Sequence, residues 1–229
     1  MKIAVISDIH ANYDALLALP GGYDELWVLG DLVNYGPQPS EVVDYISQRA
    51  SLIVRGNHDH CIAYGEDPRC TPRFRAMATA TRKITEQMLS ESQKRYLHDL
   101  PLRADTQRGN TRFCLLHSVP SDPLYGHYGE TSDRWPAESE SAGADVLFVG
   151  HTHKPFLKQI DGRTVCNPGS LGQPTHGNPE ACYALWEDGQ IELKSFAYPV
   201  EETVRKIFAM PVEEKIQREL AKVLRKGKA

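Results

Sequence analysis

Residues 2–16, KIAVISDIHANYDAL, change character halfway along. Ile3 to Ile6 are apolar without a break, which suits a strand covered on both faces better than one with a wet side. Asp8 and His10 follow at once. The same succession recurs along the chain. ELWVL (25–29) runs into Gly30-Asp31, and SLIV (51–54) into Arg55-Gly56-Asn57-His58-Asp59. RFCLLH (112–117) ends on His117, and DVLFVG (145–150) delivers His151 and His153. Five β-type runs therefore end in side chains that can bind a metal. In an open α/β sheet, the carboxyl ends of parallel strands share the edge where ligand sites form.

RTVCN (163–167), ACYALW (181–186) and IELKSFAY (191–198) are further β-type runs, and Asp188-Gly189 between the last two reads as a hairpin turn. Helical patterns occupy 40–50, where Ser40 is expected to cap, and 73–100, expected as two helices meeting near Ser90. The tail from about 200 to 226 is expected to be helical with a break at Pro211, its Ile216, Leu220, Val223 and Leu224 forming one stripe. Its basic end, RKGKA, reads as a solvated terminus. Residues 118–143 are loop-like and rich in Ser, Pro, Gly and Tyr, the kind of loop that shapes a pocket. Without a repeat or linker, residues 1–229 are read as a single α/β domain, with parallel pairing dominant in its first half.

A formal charge of −4 lacks the basic field that long nucleic acid requires. The first apolar run is too short for a signal peptide, and no run approaches a membrane span. A cytoplasmic protein with no membrane partner is expected. Cys61, Cys70, Cys114, Cys166 and Cys182 show no CxxC spacing and are expected as free thiols.

Singly, an Asp or Asn after a strand is a turn former or helix cap. Together, carboxylates with neutral imidazoles suit borderline divalent ions such as Mn²⁺, Fe²⁺, Co²⁺, Ni²⁺ or Zn²⁺. Asp8, His10, Asp31, Asn57, His117, His151 and His153 are more ligands than one ion needs. A pair of ions needs a ligand that bridges them, and Asp31, between two otherwise separate sets, is the candidate.

The succession DIH (8–10), GDLV (30–33), GNHD (56–59), His117 and GHTH (150–153) resembles the calcineurin-like metallophosphoesterase superfamily, whose short motifs it matches in order. GDLVNYGPQP (30–39) and NPGSLGQP (167–174) further resemble a branch of small bacterial and archaeal phosphodiesterases that includes diadenosine polyphosphate hydrolases. The resemblance implies a four-layer sandwich, two mixed sheets flanked by helices. It implies two divalent ions, Mn²⁺ first with Fe, Ni, Co or Zn as alternatives. One would be held by Asp8, His10, Asp31 and His153, the other by Asp31, Asn57, His117 and His151. It also implies hydrolysis of a phosphodiester by a hydroxide shared between the ions. His58 would assist the leaving oxygen and Asp59 would orient its imidazole.

Arg55, Asn12, Tyr35, His127 and His176 are candidate substrate contacts; Asn12 suits a helix cap better, Arg55 equally a surface group, and loop aromatics such as Tyr125 and Tyr128 commonly just pack. Two departures from the branch pattern stand out. Ala11 replaces a common glycine, which is harmless at negative φ. Thr175-His176 replace a common Arg-Asp, so that another cation, His176 being the candidate, would meet the substrate. The expected partner is a small phosphoester or nucleotide. A diadenosine polyphosphate hydrolase is the alternative within the class, and a non-catalytic metal-binding interaction protein the alternative outside it.

Overall fold

The computed structural model describes residues 1–228, the side chain of Arg73 excepted. Strand β1 (Lys2–Ile6) is followed by α1 (Tyr13–Leu17), β2 (Glu25–Val28), α2 (Pro39–Arg49), β3 (Leu52–Ile53), α3 (Asn57–Tyr64), α4 (Pro72–Met88) and α5 (Glu91–Asp99). Then come β4 (Arg103–Arg108), β5 (Thr111–Leu116), α6 (Trp135–Ala142), β6 (Val146–Phe148), β7 (Phe156–Ile160), β8 (Arg163–Asn167), β9 (Ala181–Glu187), β10 (Gln190–Phe196), α7 (Val200–Phe208) and α8 (Glu214–Lys226).

The strands form two five-stranded sheets, in the orders β10-β9-β1-β2-β3 and β4-β5-β6-β8-β7. In each sheet three neighbouring strands run parallel: β1, β2 and β3 in one, β5, β6 and β8 in the other. All the motif-bearing segments leave these parallel strands at their carboxyl ends. The period-two alternation of β1 explains its unbroken apolar run. Ile3 and Val5 face the second sheet and pack with Trp27, Phe113 and Phe148, while Ala4 and Ile6 face the helix layer with Leu16 and Ile46. Trp27 meets Phe113 edge to face at 5.0 Å between centroids, a geometry favoured by the ring quadrupoles. On the far side of the second sheet, Cys114, Leu147 and Val165 pack on Trp135 and Ala142 of α6. The result is the mixed four-layer α/β sandwich that the motifs imply.

Several local expectations meet the coordinates directly. Asp188 and Gly189 have φ of 49° and 89°, as a two-residue type I′ hairpin requires. The long helical pattern divides at Ser90, whose Oγ accepts from the Gln93 amide while the Gln93 side chain accepts from the Ser90 amide. The five cysteines are free thiols, four of them buried and Cys70 half-buried.

Others are corrected. Ser40 does not cap α2, which starts one residue earlier at Pro39 after Gln38; the hydroxyl of Ser40 donates instead to Gln93 Oε1 at 3.1 Å. The segment 118–143 contains α6, so only its first part is loop. The basic end is solvated at Arg225, Lys226 and Lys228, as expected, but it is anchored at Gly227. Gly227 is buried, and its carbonyl accepts from the Gly177 amide at 2.7 Å. Helices α7 and α8 pack on the body through Val204, Ile207, Leu220, Ala221 and Leu224, which meet Tyr35, Met77 and Ala78. No helix among the described residues is long and apolar enough to cross a membrane.

Candidate metal centre

Loops leaving β1, β2, β3, β5 and β6 bring Asp8, His10, Asp31, Asn57, His117, His151 and His153 into one cluster. Every one of them is buried except the partly covered His151 and His153. Asp8, His10, Asp31, His151 and His153 have positive φ between 48° and 66°. Non-glycine residues adopt such angles at a cost that tertiary structure must offset, and they concentrate at functional sites. Ala11 belongs to the same strained stretch at φ 53°, contrary to the negative φ at which replacing glycine is harmless. The loop conformations also demand close approach: a Cβ on Gly56 would collide with the carboxylate and amide of Asp31.

The hydrogen bonds fix how each imidazole faces. Nδ1 of His10 donates to the Val33 carbonyl at 3.2 Å, Nδ1 of His117 to Leu29 at 2.8 Å, and Nδ1 of His153 to Gln173 at 2.7 Å. Each bond leaves Nε2 as a bare lone pair pointing into the cluster. His10 Nε2 and His153 Nε2 lie 3.0 Å apart, with Asp8 Oδ1 3.3 Å from the latter. His117 Nε2 lies 2.9 Å from Asn57 Oδ1, which is also 3.1 Å from His151 Nδ1. The Asn57 amide is turned that way by its Nδ2, which donates to the Pro68 carbonyl at 2.7 Å. Asp31 Oδ2 stands between the groups, 3.7 Å from His10 Nε2 and 3.4 Å from His117 Nε2.

Acceptors facing acceptors at these distances repel unless a cation lies among them. The cluster fits such ions on three counts. Asp8 Oδ1 is buried without a hydrogen-bond partner. Burial, and then the carboxylates of Asp8 and Asp59, push Asp31 well above the usual carboxylate range. Asp8, His10 and His153 converge as one potential ligand group, and Asp8, Asp31 and His117 as another. Mixed carboxylate and imidazole donors suit a borderline divalent ion.

The cluster opens into a cavity of about 370 Å³. His58 lies on its wall, held by α3, whose first turn carries the GNHD motif. Asp59 does not touch His58. Its carboxylate accepts from the amides of Asp31 and Leu32 at 2.8 Å and of Gly56 at 3.0 Å, clamping the Asp31 loop. Burial raises Asp59 to about 6, against these amides. The residue that does reach His58 is Asn34, which the motif reading passed over. Its Nδ2 donates to His58 Nδ1 at 2.8 Å while its Oδ1 accepts from Thr81 Oγ1 at 2.9 Å. In that arrangement His58 Nε2 carries the proton, 3.4 Å from Cys70 Sγ at the cavity wall. Burial, then His117 and His153, hold the imidazole down at about 3.

The other candidates divide. Tyr35 and His127 line the cavity, and the Tyr35 ring sits 4.9 Å from His10 and 4.8 Å from His58. Asn12 is buried outside it: Oδ1 caps α1 by accepting from the Ala15 amide, and Nδ2 donates to the Gly172 carbonyl at 2.8 Å. Arg55 is buried too, donating to the His98 carbonyl at 2.6 Å and to Tyr64 Oη at 3.1 Å. His176 is directed to Cys182, and its neighbour Thr175 reaches the cavity. Sequence reading missed Arg69, Cys70, Phe74, Lys154 and Lys228 on the cavity wall. Only the proximity of Lys154 to GHTH could have flagged any of them.

Comparison with known proteins supplies a family. An uncharacterized protein of Methanocaldococcus jannaschii is 29% identical over 232 residues, covering 90% of this chain and 91% of its own length. A metallophosphoesterase from Sphaerobacter thermophilus superposes with a TM-score of 0.84 at 29% identity, over 99% of both chains. A symmetrical bis(5'-nucleosyl)-tetraphosphatase of Citrobacter koseri is 40% identical, but over 72 residues only, 28% of this chain and 26% of that protein. The family description "Calcineurin-like phosphoesterase superfamily domain" matches residues 1–188, which span every residue of the cluster. The chain belongs to the calcineurin-like phosphoesterase superfamily.

Proposed function

We propose that the protein is a metal-dependent phosphodiesterase that binds two divalent ions. The observation that carries this reading is the opposition of bare acceptors: His10 against His153 at 3.0 Å, and His117 against Asn57 at 2.9 Å, with Asp31 between the two groups. Asp8, His10, Asp31 and His153 would hold one ion, and Asp31, Asn57, His117 and His151 the other. When bound, such ions polarise phosphoryl oxygens and make a water acidic near neutral pH. Mn²⁺ is the first candidate.

The chain's own residues do the rest. His58 Nε2–H faces the cavity and, as an imidazole that stays neutral at pH 7, can donate a hydrogen bond to a departing ester oxygen and stabilise its developing charge without giving up the proton. Asn34 fixes the tautomer that puts the proton there. Asp59, accepting from the amides of Asp31, Leu32 and Val33, keeps the Asp31 loop in place rather than orienting His58. We read the whole chain as one domain, because α7 and α8 back the site through Tyr35. The substrate would be a small cytoplasmic phosphoester rather than long nucleic acid.

A nucleotide phosphoanhydride, such as a diadenosine polyphosphate, is the second reading. It is favoured by the short tetraphosphatase likeness and by Phe74 and Tyr125 on the cavity wall, which suit a base. Hydrolysis of bis-p-nitrophenyl phosphate, p-nitrophenyl phosphate and diadenosine tetraphosphate by chelator-stripped protein resupplied with Mn²⁺ tests both. Diester turnover lost in His58→Ala is expected. Preference for the dinucleotide would favour the second reading, and no turnover with Mn²⁺, Fe²⁺, Co²⁺, Ni²⁺ or Zn²⁺ would favour a non-catalytic interaction protein.

A further inference from the structure

We propose that Lys228 is a specificity residue, receiving negative charge of the ligand beyond the phosphoryl group held at the histidine–carboxylate cluster, so that the site prefers ligands with two or more linked phosphates. This rests on the phosphoesterase reading for what the cluster holds.

The position of Lys228 is built rather than incidental. Leu220, Ala221 and Leu224 anchor α8 on Tyr35, which itself lines the cavity. Arg225 grips Glu201 with two of its guanidinium nitrogens, Nε at 2.8 Å and Nη2 at 2.7 Å. The helix then ends at Gly227 in the left-handed region, φ 56°. A glycine is required there twice over, because a Cβ would also collide with the Asn178 carbonyl. With the Gly227 carbonyl tied to the Gly177 amide, the next residue, itself exposed, is held at the cavity rim on the same wall as Thr175.

The charge around that position is unbalanced. Among the described residues, three cationic side chains line the cavity, Arg69, Lys154 and Lys228, against one carboxylate, Asp31, in a chain whose formal charge is −4. None of the three forms an ion pair among the described residues. The Arg69 guanidinium lies over the Tyr125 ring instead, 4.2 Å from its centroid. The three stand on different elements: Arg69 before α4, Lys154 after β6 and Lys228 after α8. Three unpaired cations, added to a cluster built for divalent ions, exceed what a single phosphoryl group can neutralise. An oligophosphate ligand matches the excess, with its organic end on Phe74 and Tyr125.

The test measures binding of AMP and ADP by calorimetry at low ionic strength, with and without Mn²⁺, to the full chain and to Lys228→Met, Gly227→Val and Lys226→Met. The wild type should prefer ADP. Lys228→Met should weaken ADP by about 5–20-fold, the loss of one charge-assisted contact, and AMP by less than about 2-fold. Gly227→Val, which keeps the lysine but forces the segment off Asn178, should act in the same direction, and Lys226→Met should behave as wild type. An ADP-to-AMP ratio unchanged in Lys228→Met overturns the proposal, as does a wild type without preference for ADP. If the preference depends on Lys228 but no phosphoester is hydrolysed, the charge site stands and the phosphoesterase reading falls. Diester hydrolysis without a Lys228-dependent preference has the opposite meaning.

Discussion

The space between the two sheets and the edge where their strands end are equally dry, yet they are filled on opposite rules. Ile3, Val5, Trp27 and Phe148 are fully buried in the first; Asp8, Asp31, His10 and His117 are 0–1% exposed in the second. Between the sheets, burial is favourable by itself, at about 25 cal/mol per Å² of apolar surface. At the edge, burial costs free energy, because carboxylates and bare nitrogens are desolvated next to one another on strained backbone. The strands that supply both regions are the same. The difference shows the interior stabilising an edge that is organised for binding rather than for stability, a division found wherever stability and activity compete.

The comparison breaks first on His58. Substitution His58→Ala should lower kcat by about 10²–10³-fold, the usual worth of one hydrogen-bond donor to a developing oxyanion, and leave the urea midpoint nearly where it was. A large loss of stability would make His58 a structural member of the edge. Phe148→Ala, inside the sandwich, should cost about 3–5 kcal/mol in urea unfolding. The folded fraction should keep its Mn²⁺ stoichiometry.

Asp31→Asn sharpens the contrast in the other direction. Its carboxyl is raised by burial and by neighbouring carboxylates, so ionising it opposes folding at neutral pH. The metal-free variant should therefore gain about 0.5–2 kcal/mol over wild type at pH 7, a gain that shrinks as the pH falls and the wild-type carboxyl takes up its proton. Mn²⁺ should reverse the order of the two melting temperatures.

The smallest effect belongs to the far end of the sandwich, where Arg108 holds both oxygens of Glu25 at 2.7 and 2.8 Å. The Arg108 contacts keep Glu25 below its ordinary pKa, against partial burial and with help from Trp27. Its contribution is present above about pH 4.3 and is lost as pH falls through the lower folded value. About 0.5–1 kcal/mol is expected from acid titration of wild type against Glu25→Gln.

Much of this was legible in the residues, and the failures have physical causes. The apolar runs of β1, β2 and β6 identify themselves because both faces are covered. β4, RADTQR, escaped because it is an edge strand whose residues alternate between exposed and half-buried, so hydrophobic periodicity carries no signal. β7 escaped although Asp161-Gly162 marks its hairpin with β8 as plainly as Asp188-Gly189 marks the next one. Each residue of the histidine–carboxylate cluster follows its strand closely, which is why the sequence names it. Contacts made by long-range folding were not: Asn34 to His58, Asp59 to the Asp31 loop and Lys228 to the cavity depend on how three separate segments are brought together. Arg55 and Asn12 show the converse, polar residues near a motif whose hydrogen-bonding capacity the scaffold consumes.

The strand order of the first sheet also bears on how the chain is made. β1 lies between β2 and β9, with Lys2 to Val5 opposite Glu187 to Ala184. A ribosome adding about 5–20 residues per second needs roughly 10–35 s to reach β9 after finishing β1. For that interval one side of β1 has unpaired amides and carbonyls flanked by Ile3, Val5 and Ile6, a template for pairing with another nascent chain. Lys2 and the short length of the strand limit that hazard without removing it. Yield of soluble protein should therefore respond to translation speed and to chaperone supply more than the stability of the finished sandwich would suggest.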